Sequence, residues 1–278
     1  MLGRIAIHLS NDPSCTRRID AGLLLAKEHD ASVVGVYPTD GLASYYYHEQ
    51  VIPQEARSSL QRQQTQERDT TRELFLDKAQ TAGVDAHWRA PTGDIEQALA
   101  LHGRYSDVLI MSKTPRADAT SGLIANLPES VVMACGRPVL LLPNAGPIES
   151  IGKRILYCWD QRREAARALT DGAPFLARCH ELVVLEVDRD ERLLKNQDVH
   201  SDDIRHYLTS LGYPQPQHLI QDSNNLGVGH IILNVASDYS SDLIVMGAYG
   251  HSRMRQWVMG GASRTLLASM TVPVLMTQ

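Results

Sequence analysis

The sequence lacks the patterns that mark several common classes of protein. Its 278 residues include 27 Lys and Arg against 32 Asp and Glu, so there is no excess of positive charge for nucleic-acid phosphates. The sequence contains no run of 18 apolar residues, the length needed to span a membrane. Residues 1–10 lack the basic and apolar regions of a signal peptide. We therefore expect a soluble, cytoplasmic protein that binds neither nucleic acid nor membranes.

Paired cysteines and the common catalytic motifs are also missing. The four cysteines stand singly, without the spacing of a zinc or redox site, and are expected to be buried thiols. There is no Gly-x-Ser-x-Gly elbow, no His-Glu-x-x-His motif and no complete P-loop. His200 and His206 are six residues apart, a spacing that does not stack two ligands on a helix, so we interpret residues 200–206 as a solvated helix start. No catalytic residue and no metal site are predicted.

What the sequence does contain is an internal repeat. Two pairs of segments match at one constant offset, and two further pairs match at a slightly shorter one. These pairs are Gly3–Ile7 with Lys153–Tyr157, Ala31–Val36 with Glu181–Glu186, Ser106–Met111 with Ser241–Met246, and Gly136–Leu141 with Thr271–Met276. The first half carries the extra residues in its middle, where about Ser58 to Ala82 is expected to form a long, partly solvated helix. The chain is therefore interpreted as a duplication.

Each half is predicted to be an α/β domain. Apolar runs of strand length alternate with segments of helical period, and an unbroken run such as Leu243–Met246 suits a parallel sheet covered on both faces. Asn144–Pro147 interrupts both periodicities and is the natural linker. The predicted domains are residues 1–146 and 147–278, each an open parallel sheet of about five strands.

A glycine-rich passage follows the strand Leu243–Met246. Gly247, Gly250, Gly260 and Gly261 leave backbone amides unobstructed, and the last two precede a segment with the composition of a helix. His251 and Arg253 could neutralise a phosphate there through charge-assisted hydrogen bonds. The passage is a candidate phosphate cradle, and its alternative interpretation is a turn with helix packing and no ligand.

A carboxylate is expected beside this cradle. Asp160 directly follows the first strand of the second half, at the carboxyl edge of the sheet where such folds bind ligands. It could accept hydrogen bonds from ribose hydroxyls. The alternative is that Asp160 caps the helix that begins near Arg163.

The first half provides an internal control. The residues that stand at the positions of the four glycines are Ser112, Pro115, Ala125 and Asn126, and Ser10 stands at the position of Asp160. We therefore expect the first half to keep the fold without the phosphate site.

These residues resemble a known family. The spacing of Gly247, Gly250 and Gly260 is similar to the signature of ATP-binding universal stress proteins, and the whole chain resembles two such domains in tandem. The family places Ser or Thr after the third of these glycines, where this sequence has Gly261, followed by Ala262 and Ser263. By this resemblance, Asp160 contacts ribose, the backbone of Val187 contacts adenine, and Ser263 is a substitute for the missing hydroxyl.

The resemblance also implies a fold, a ligand and a function. The fold is like that of the adenine nucleotide alpha hydrolases, and Pro273–Leu275 pairs with Pro138–Leu140 in an intramolecular pseudo-dimer that can form a homodimer. The function is that of a stress-response regulatory protein that binds ATP or AMP, with or without Mg²⁺, and hydrolyses ATP slowly at most. Two alternatives remain compatible with the sequence: a stress protein that binds a non-nucleotide ligand or a partner, and an adenine-nucleotide hydrolase. The second is less favoured because Trp159–Arg162 replaces the Ser-Gly-Gly-x-Asp-Ser loop of that class.

Overall fold

A computed structural model describes residues 1–39, 54–113, 126–194, 197–248 and 261–278. These residues divide into two compact units, each built on mainly parallel strands with helices between them. The predicted α/β class is confirmed. Within the described ranges, no helix is long and apolar enough to cross a membrane.

In its described residues, the first unit contains four parallel strands and four helices. The strands are β1 (Arg4–His8), β2 (Ser32–Val36), β3 (Ala86–Arg89) and β4 (Val108–Ser112), and the helices are α1 (Cys15–His29), α2 (Gln54–Ala82), α3 (Ile95–Arg104) and α4 (Leu127–Cys135). Their strand order is β3-β2-β1-β4. The middle residues of β1, β2 and β4 are buried and almost all apolar, as sheets covered on both faces require.

The long helix predicted in the first half is present as α2. Its buried stripe consists of Thr71, Phe75 and Ala79, which recur every fourth residue and so share one face. Leu74 of the same helix is 38% exposed. Phe75 packs against the Trp88 ring of β3, with ring centroids 6.3 Å apart, and holds the helix on the sheet.

The described part of the second unit contains six strands and six helices. The strands are β5 (Val139–Leu142), β6 (Arg154–Cys158), β7 (Glu181–Val187), β8 (Gln217–Gln221), β9 (Leu243–Gly247) and β10 (Val274–Thr277). The helices are α5 (Arg163–Asp171), α6 (Ala173–Leu176), α7 (Glu191–Leu194), α8 (Asp203–Ser210), α9 (Val228–Asp238) and α10 (Gly261–Ser269). The strand order is β5-β10-β9-β6-β7-β8.

Strand β5 belongs to the second unit although it ends the first sequence repeat. It pairs antiparallel with β10, with Leu140 opposite Leu275, while the other neighbouring strands of this unit are parallel. This is the pairing of the two terminal strands that the family resemblance implied, and it is confirmed. The domain boundary at residue 147 stays a prediction.

The duplication is visible in equivalent contacts. The Asp107 carboxylate accepts hydrogen bonds from the amides of Gly3 and Arg4, at 2.6 and 2.9 Å. Its counterpart Asp242 accepts from the amides of Gly152 and Arg154, at 3.0 and 2.9 Å. In both units, a carboxylate that directly precedes one central strand therefore fixes the start of the strand beside it.

Candidate functional site

The candidate site lies at the carboxyl edge of the second sheet. The chain passes from β6 outward to β7 and β8, and then returns to β9 on the other side of β6. Connections leave neighbouring strands in opposite directions at such a switch point, which opens a crevice where α/β folds bind ligands. Asp160 follows β6 and Gly247 ends β9, so the structure brings these two predicted residues to the two strands that flank the crevice.

Asp160 keeps an exposed carboxylate at this edge. Its side chain is 47% exposed, and Oδ1 accepts a hydrogen bond of 3.1 Å from the amide of Arg162. Oδ2 lies 3.9 Å from Arg162 Nε, a long ion pair that leaves it free to accept further hydrogen bonds. The N-cap of α5 is Arg162, so the interpretation of Asp160 as the cap is wrong. The carboxylate instead stabilises the turn that leads into the helix.

Val187 is the last residue of β7 and is partly exposed. The chain turns immediately after it, because Asp188 adopts a left-handed φ of 51° and its carboxylate accepts a hydrogen bond of 2.8 Å from the amide of Ser223. The backbone of Val187 therefore ends at the same edge as Asp160, on the strand next to β6.

Gly247 has a packing role of its own. A Cβ added there would lie 2.4 Å from the carbonyl carbon of Glu164 and 2.7 Å from the amide nitrogen of Ala165, so the first turn of α5 rests directly on the strand end. The same turn is held from β6, since the Tyr157 hydroxyl donates a hydrogen bond of 2.9 Å to the Ala165 carbonyl. Helix packing, the alternative interpretation of the glycine, accounts for this residue without a ligand.

The side chain of Glu164 gives this strand end a negative charge. Burial alone would raise the pKa of its carboxyl, but a hydrogen bond from Arg163 Nε holds the pKa below its usual value. A phosphate bound near Gly247 would therefore need nearby cations to offset this carboxylate.

Gly261 begins α10 and is exposed. A Cβ added to it would meet no atom within 4 Å, so a larger residue fits there. The amides of Gly261, Ala262 and Ser263 form the first turn, whose N–H groups have no acceptor within the helix and favour anions. The side chain of Ser263 lies on the buried side of α10, with 5% of the residue exposed.

The other predicted cradle residues, Gly250, His251, Arg253 and Gly260, lie outside the described residues, as do Pro115 and Ala125 of the first half. The segment from His200 to His206 begins α8, where the Asp203 carboxylate accepts a hydrogen bond of 2.9 Å from the His200 amide. In the described part of the chain, no group of three His, Cys, Asp or Glu side chains could hold a metal ion.

The equivalent edge of the first unit is closed by its own side chains. Arg18 is 2% exposed, and its guanidinium lies 2.6 Å from Asp12 Oδ2 and 2.8 Å from Ser10 Oγ, while its Nε donates to the His8 carbonyl at 2.6 Å. Burial, reinforced by the Arg18 charge, lowers the pKa of His8 to about 3. Ser10, the counterpart of Asp160, thus forms hydrogen bonds with Arg18 and Asp12 of its own unit.

A buried polar cluster beside the candidate site was not predicted from the sequence. Glu186 is 2% exposed, and its carboxylate contacts His218 of β8 and Gln161 of the loop after β6. The available signal was the charged residue within the apolar run of β7, where a core residue is expected.

The comparisons agree with this architecture. A model of the universal stress protein family matches residues 225–278. The universal stress protein Slr1230 of Synechocystis sp. is 24% identical over 182 residues, which cover 63% of this chain and 58% of that protein, so the match spans less than two thirds of the relative.

Solved structures extend the likeness in fold to the whole chain. A universal stress protein from Archaeoglobus fulgidus has a TM-score of 0.74 at 16% identity, covering 99% of this chain and 98% of its own. A putative universal stress protein from Pseudomonas aeruginosa has a TM-score of 0.64 at 12% identity, covering 99% and 93%. The expected resemblance to tandem universal stress proteins is confirmed.

Proposed function

We propose that this protein is a stress-response regulator whose second unit binds one adenine nucleotide, ATP or AMP. The observation that carries the proposal is the half-exposed Asp160 carboxylate at the switch point between β6 and β9. A carboxylate at this place in an α/β sheet is suited to accept hydrogen bonds from ribose hydroxyls. The stress-response role is supported by the names of the relatives.

The neighbouring residues complete the binding scheme. Val187 offers backbone groups to adenine at the end of β7, next to the strand that carries Asp160. The phosphates bind to the first-turn amides of α10, from Gly261 onward, and to the preceding glycine passage with His251 and Arg253. In this proposal, the charge of Arg253, and that of His251 when it is protonated, offsets the charge of Glu164, and Mg²⁺ bound to the phosphates would add to the same effect.

The proposal assigns the nucleotide to the second unit alone. In the first unit, the Arg18 guanidinium and the Asp12 carboxylate satisfy each other at the equivalent edge. Opening that edge to a ligand would leave buried charges without partners, which costs several kcal/mol. The chain would then bind a nucleotide through one repeat and use the other for its structure.

We propose binding rather than turnover. The contacts expected for the nucleotide come mainly from backbone amides, and Asp160 is committed to the ribose. Phosphoryl transfer also needs a group that positions the attacking water. Slow ATP hydrolysis at most is expected.

The test is calorimetric titration of ATP and AMP into the wild-type protein and two variants. Asp160→Ala removes the ribose acceptor, and loss of hydrogen bonds to a charged group, about 1.5–3 kcal/mol, weakens binding roughly 10- to 150-fold. Asp238→Ala is the matched control, since this exposed carboxylate ends α9 at the opposite edge of the sheet and its loss should leave affinity unchanged.

Two outcomes would contradict the proposal. Absence of saturable ATP binding at millimolar concentration would refute nucleotide binding and favour a non-nucleotide ligand or a partner. Equal effects of the two Asp variants would refute the location of the site.

A further inference from the structure

A buried carboxylate organises the loop that carries Asp160. Glu186 occupies the penultimate position of β7, and only 3% of its side chain is exposed. Its Oε1 lies 2.7 Å from His218 Nε2, and its Oε2 accepts a hydrogen bond of 2.9 Å from Gln161 Nε2. Arg189 Nε lies 3.7 Å from Oε2 and supplies a positive charge. Both carboxylate oxygens are therefore partnered, as a buried carboxylate requires.

This arrangement fixes the orientation of the Gln161 amide. A carboxylate only accepts hydrogen bonds, so the NH₂ group of Gln161 must face Glu186 and its carbonyl oxygen must face away. For the same reason, His218 carries a proton on Nε2. The carboxylate and the imidazole together hold the amide in one of its two possible orientations.

The carbonyl oxygen of Gln161 receives no hydrogen bond from the described part of the chain. Gln161 Oε1 is buried and has no hydrogen-bond partner among the described residues. A buried acceptor without a donor is energetically unfavourable, so a ligand that supplies a donor removes this cost. Gln161 directly follows Asp160, and its partner Glu186 directly precedes Val187. The acceptor thus belongs to the same two chain segments, at the ends of β6 and β7, as the residues proposed for ribose and adenine.

We propose that Gln161 is a specificity-determining residue that accepts a hydrogen bond from the exocyclic amino group of adenine, and that Glu186 and His218 position it. This inference rests on the proposed function. Adenine carries an amino group where hypoxanthine carries a carbonyl oxygen, which would face the Gln161 oxygen as a second acceptor. The protein is therefore expected to prefer ATP over inosine triphosphate by about tenfold or more, since the wrong base leaves two buried acceptors unpaired.

The experiment compares the dissociation constants of ATP and inosine triphosphate, whose phosphates and ribose are identical. Gln161→Met keeps the length of the side chain and removes the acceptor, so ATP binding should weaken to the level of inosine triphosphate and the ratio should fall to about 1. Gln221→Met is the matched control, because Gln221 is exposed at the end of β8 on the same edge, and its ratio should remain that of the wild type.

A second variant tests the positioning role. In Glu186→Gln, the new amide can donate to Gln161, which allows the Gln161 amide to turn and present its NH₂ group to the base. The preference should then shift toward inosine triphosphate, whereas loss of a merely structural contact would weaken both nucleotides alike. Thermal unfolding of each variant reports whether it is folded.

The outcomes separate this inference from the proposed function. Equal affinities of the wild type for the two nucleotides, with ATP bound, would overturn the role of Gln161 and leave the proposed function standing. If folded Gln161→Met keeps the wild-type ratio of the two dissociation constants, the role of Gln161 is likewise overturned and the proposed function stands. Failure of the wild type to bind either nucleotide would overturn the proposed function and the inference with it.

Discussion

Replacement of Gly247 by Ala tests whether helix α5 packs on the end of β9 as described. The added Cβ would lie 2.4 Å from the Glu164 carbonyl carbon and 2.7 Å from the Ala165 amide nitrogen, distances that real Cβ atoms do not adopt. Two of the three nearest atoms belong to the backbone, so a side-chain rotation cannot relieve the contact. The first turn of α5 must move away from the strand.

The expected cost follows from overpacking. Such substitutions lower the free energy of unfolding by about 1–3 kcal/mol, and here we expect the upper part of that range because backbone must shift. For a unit of this size, each kcal/mol lowers the melting temperature by about 2–4 °C, so Gly247→Ala should lose roughly 6–12 °C.

The matched control is Gly261→Ala. No atom lies within 4 Å of the added Cβ, and Gly261 stands at the start of α10. Removal of glycine from a helix stabilises it by about 0.5–1 kcal/mol, so the melting temperature should stay level or rise slightly. Thermal unfolding followed by circular dichroism, without added nucleotide, measures the melting temperatures of both variants. A Gly247→Ala protein that melts at the wild-type temperature would show that α5 does not rest on this glycine.

Three further outcomes are expected. Gly261→Ser supplies, in open space, the hydroxyl that the family resemblance leads us to expect at this position. It should tighten ATP binding about 2- to 10-fold in calorimetry, while an unchanged affinity would place the phosphates elsewhere. His8 has a pKa of about 3 when folded against about 6.5 when unfolded, so the unfolded chain binds the extra proton between these values. Stability should fall as the pH falls through that window, by at most about 1.4 kcal/mol per pH unit, and urea unfolding of His8→Asn should show a shallower fall. Arg18→Ala removes the cation from Asp12 and should cost about 3–5 kcal/mol in the same assay, whereas a cost below 1 kcal/mol would refute the buried network.

Features that depend on residues close together in the sequence, or on the internal repeat, could be predicted from the sequence. The alternation of apolar runs with segments of helical period predicted the α/β fold, and the pairing of the strands that contain Leu140 and Leu275 followed from the family resemblance. The long helix α2 was predicted as well, although its packing residue Phe75 was not. Short apolar patterns indicate an element more reliably than they indicate which of its residues face the core.

Features that depend on which strands lie side by side could not be predicted from the sequence. The contact of Glu186 with His218 requires that β7 and β8 lie side by side, and the strand order could not be read from the pattern. The Arg18 network in the first unit similarly required three-dimensional placement of α1 against the end of β1. The packing role of Gly247 needed the path of α5, since a glycine after a strand suits a ligand and a close helix equally well.

The central claim is that one repeat binds a nucleotide and the other does not. Native mass spectrometry of the wild-type protein at saturating ATP counts the bound nucleotides per chain directly. We predict one ATP per chain, with an occupancy that is clearly lower in Asp160→Ala and unchanged in Asp238→Ala at the same ATP concentration. No bound ATP, or two per chain, would contradict the account.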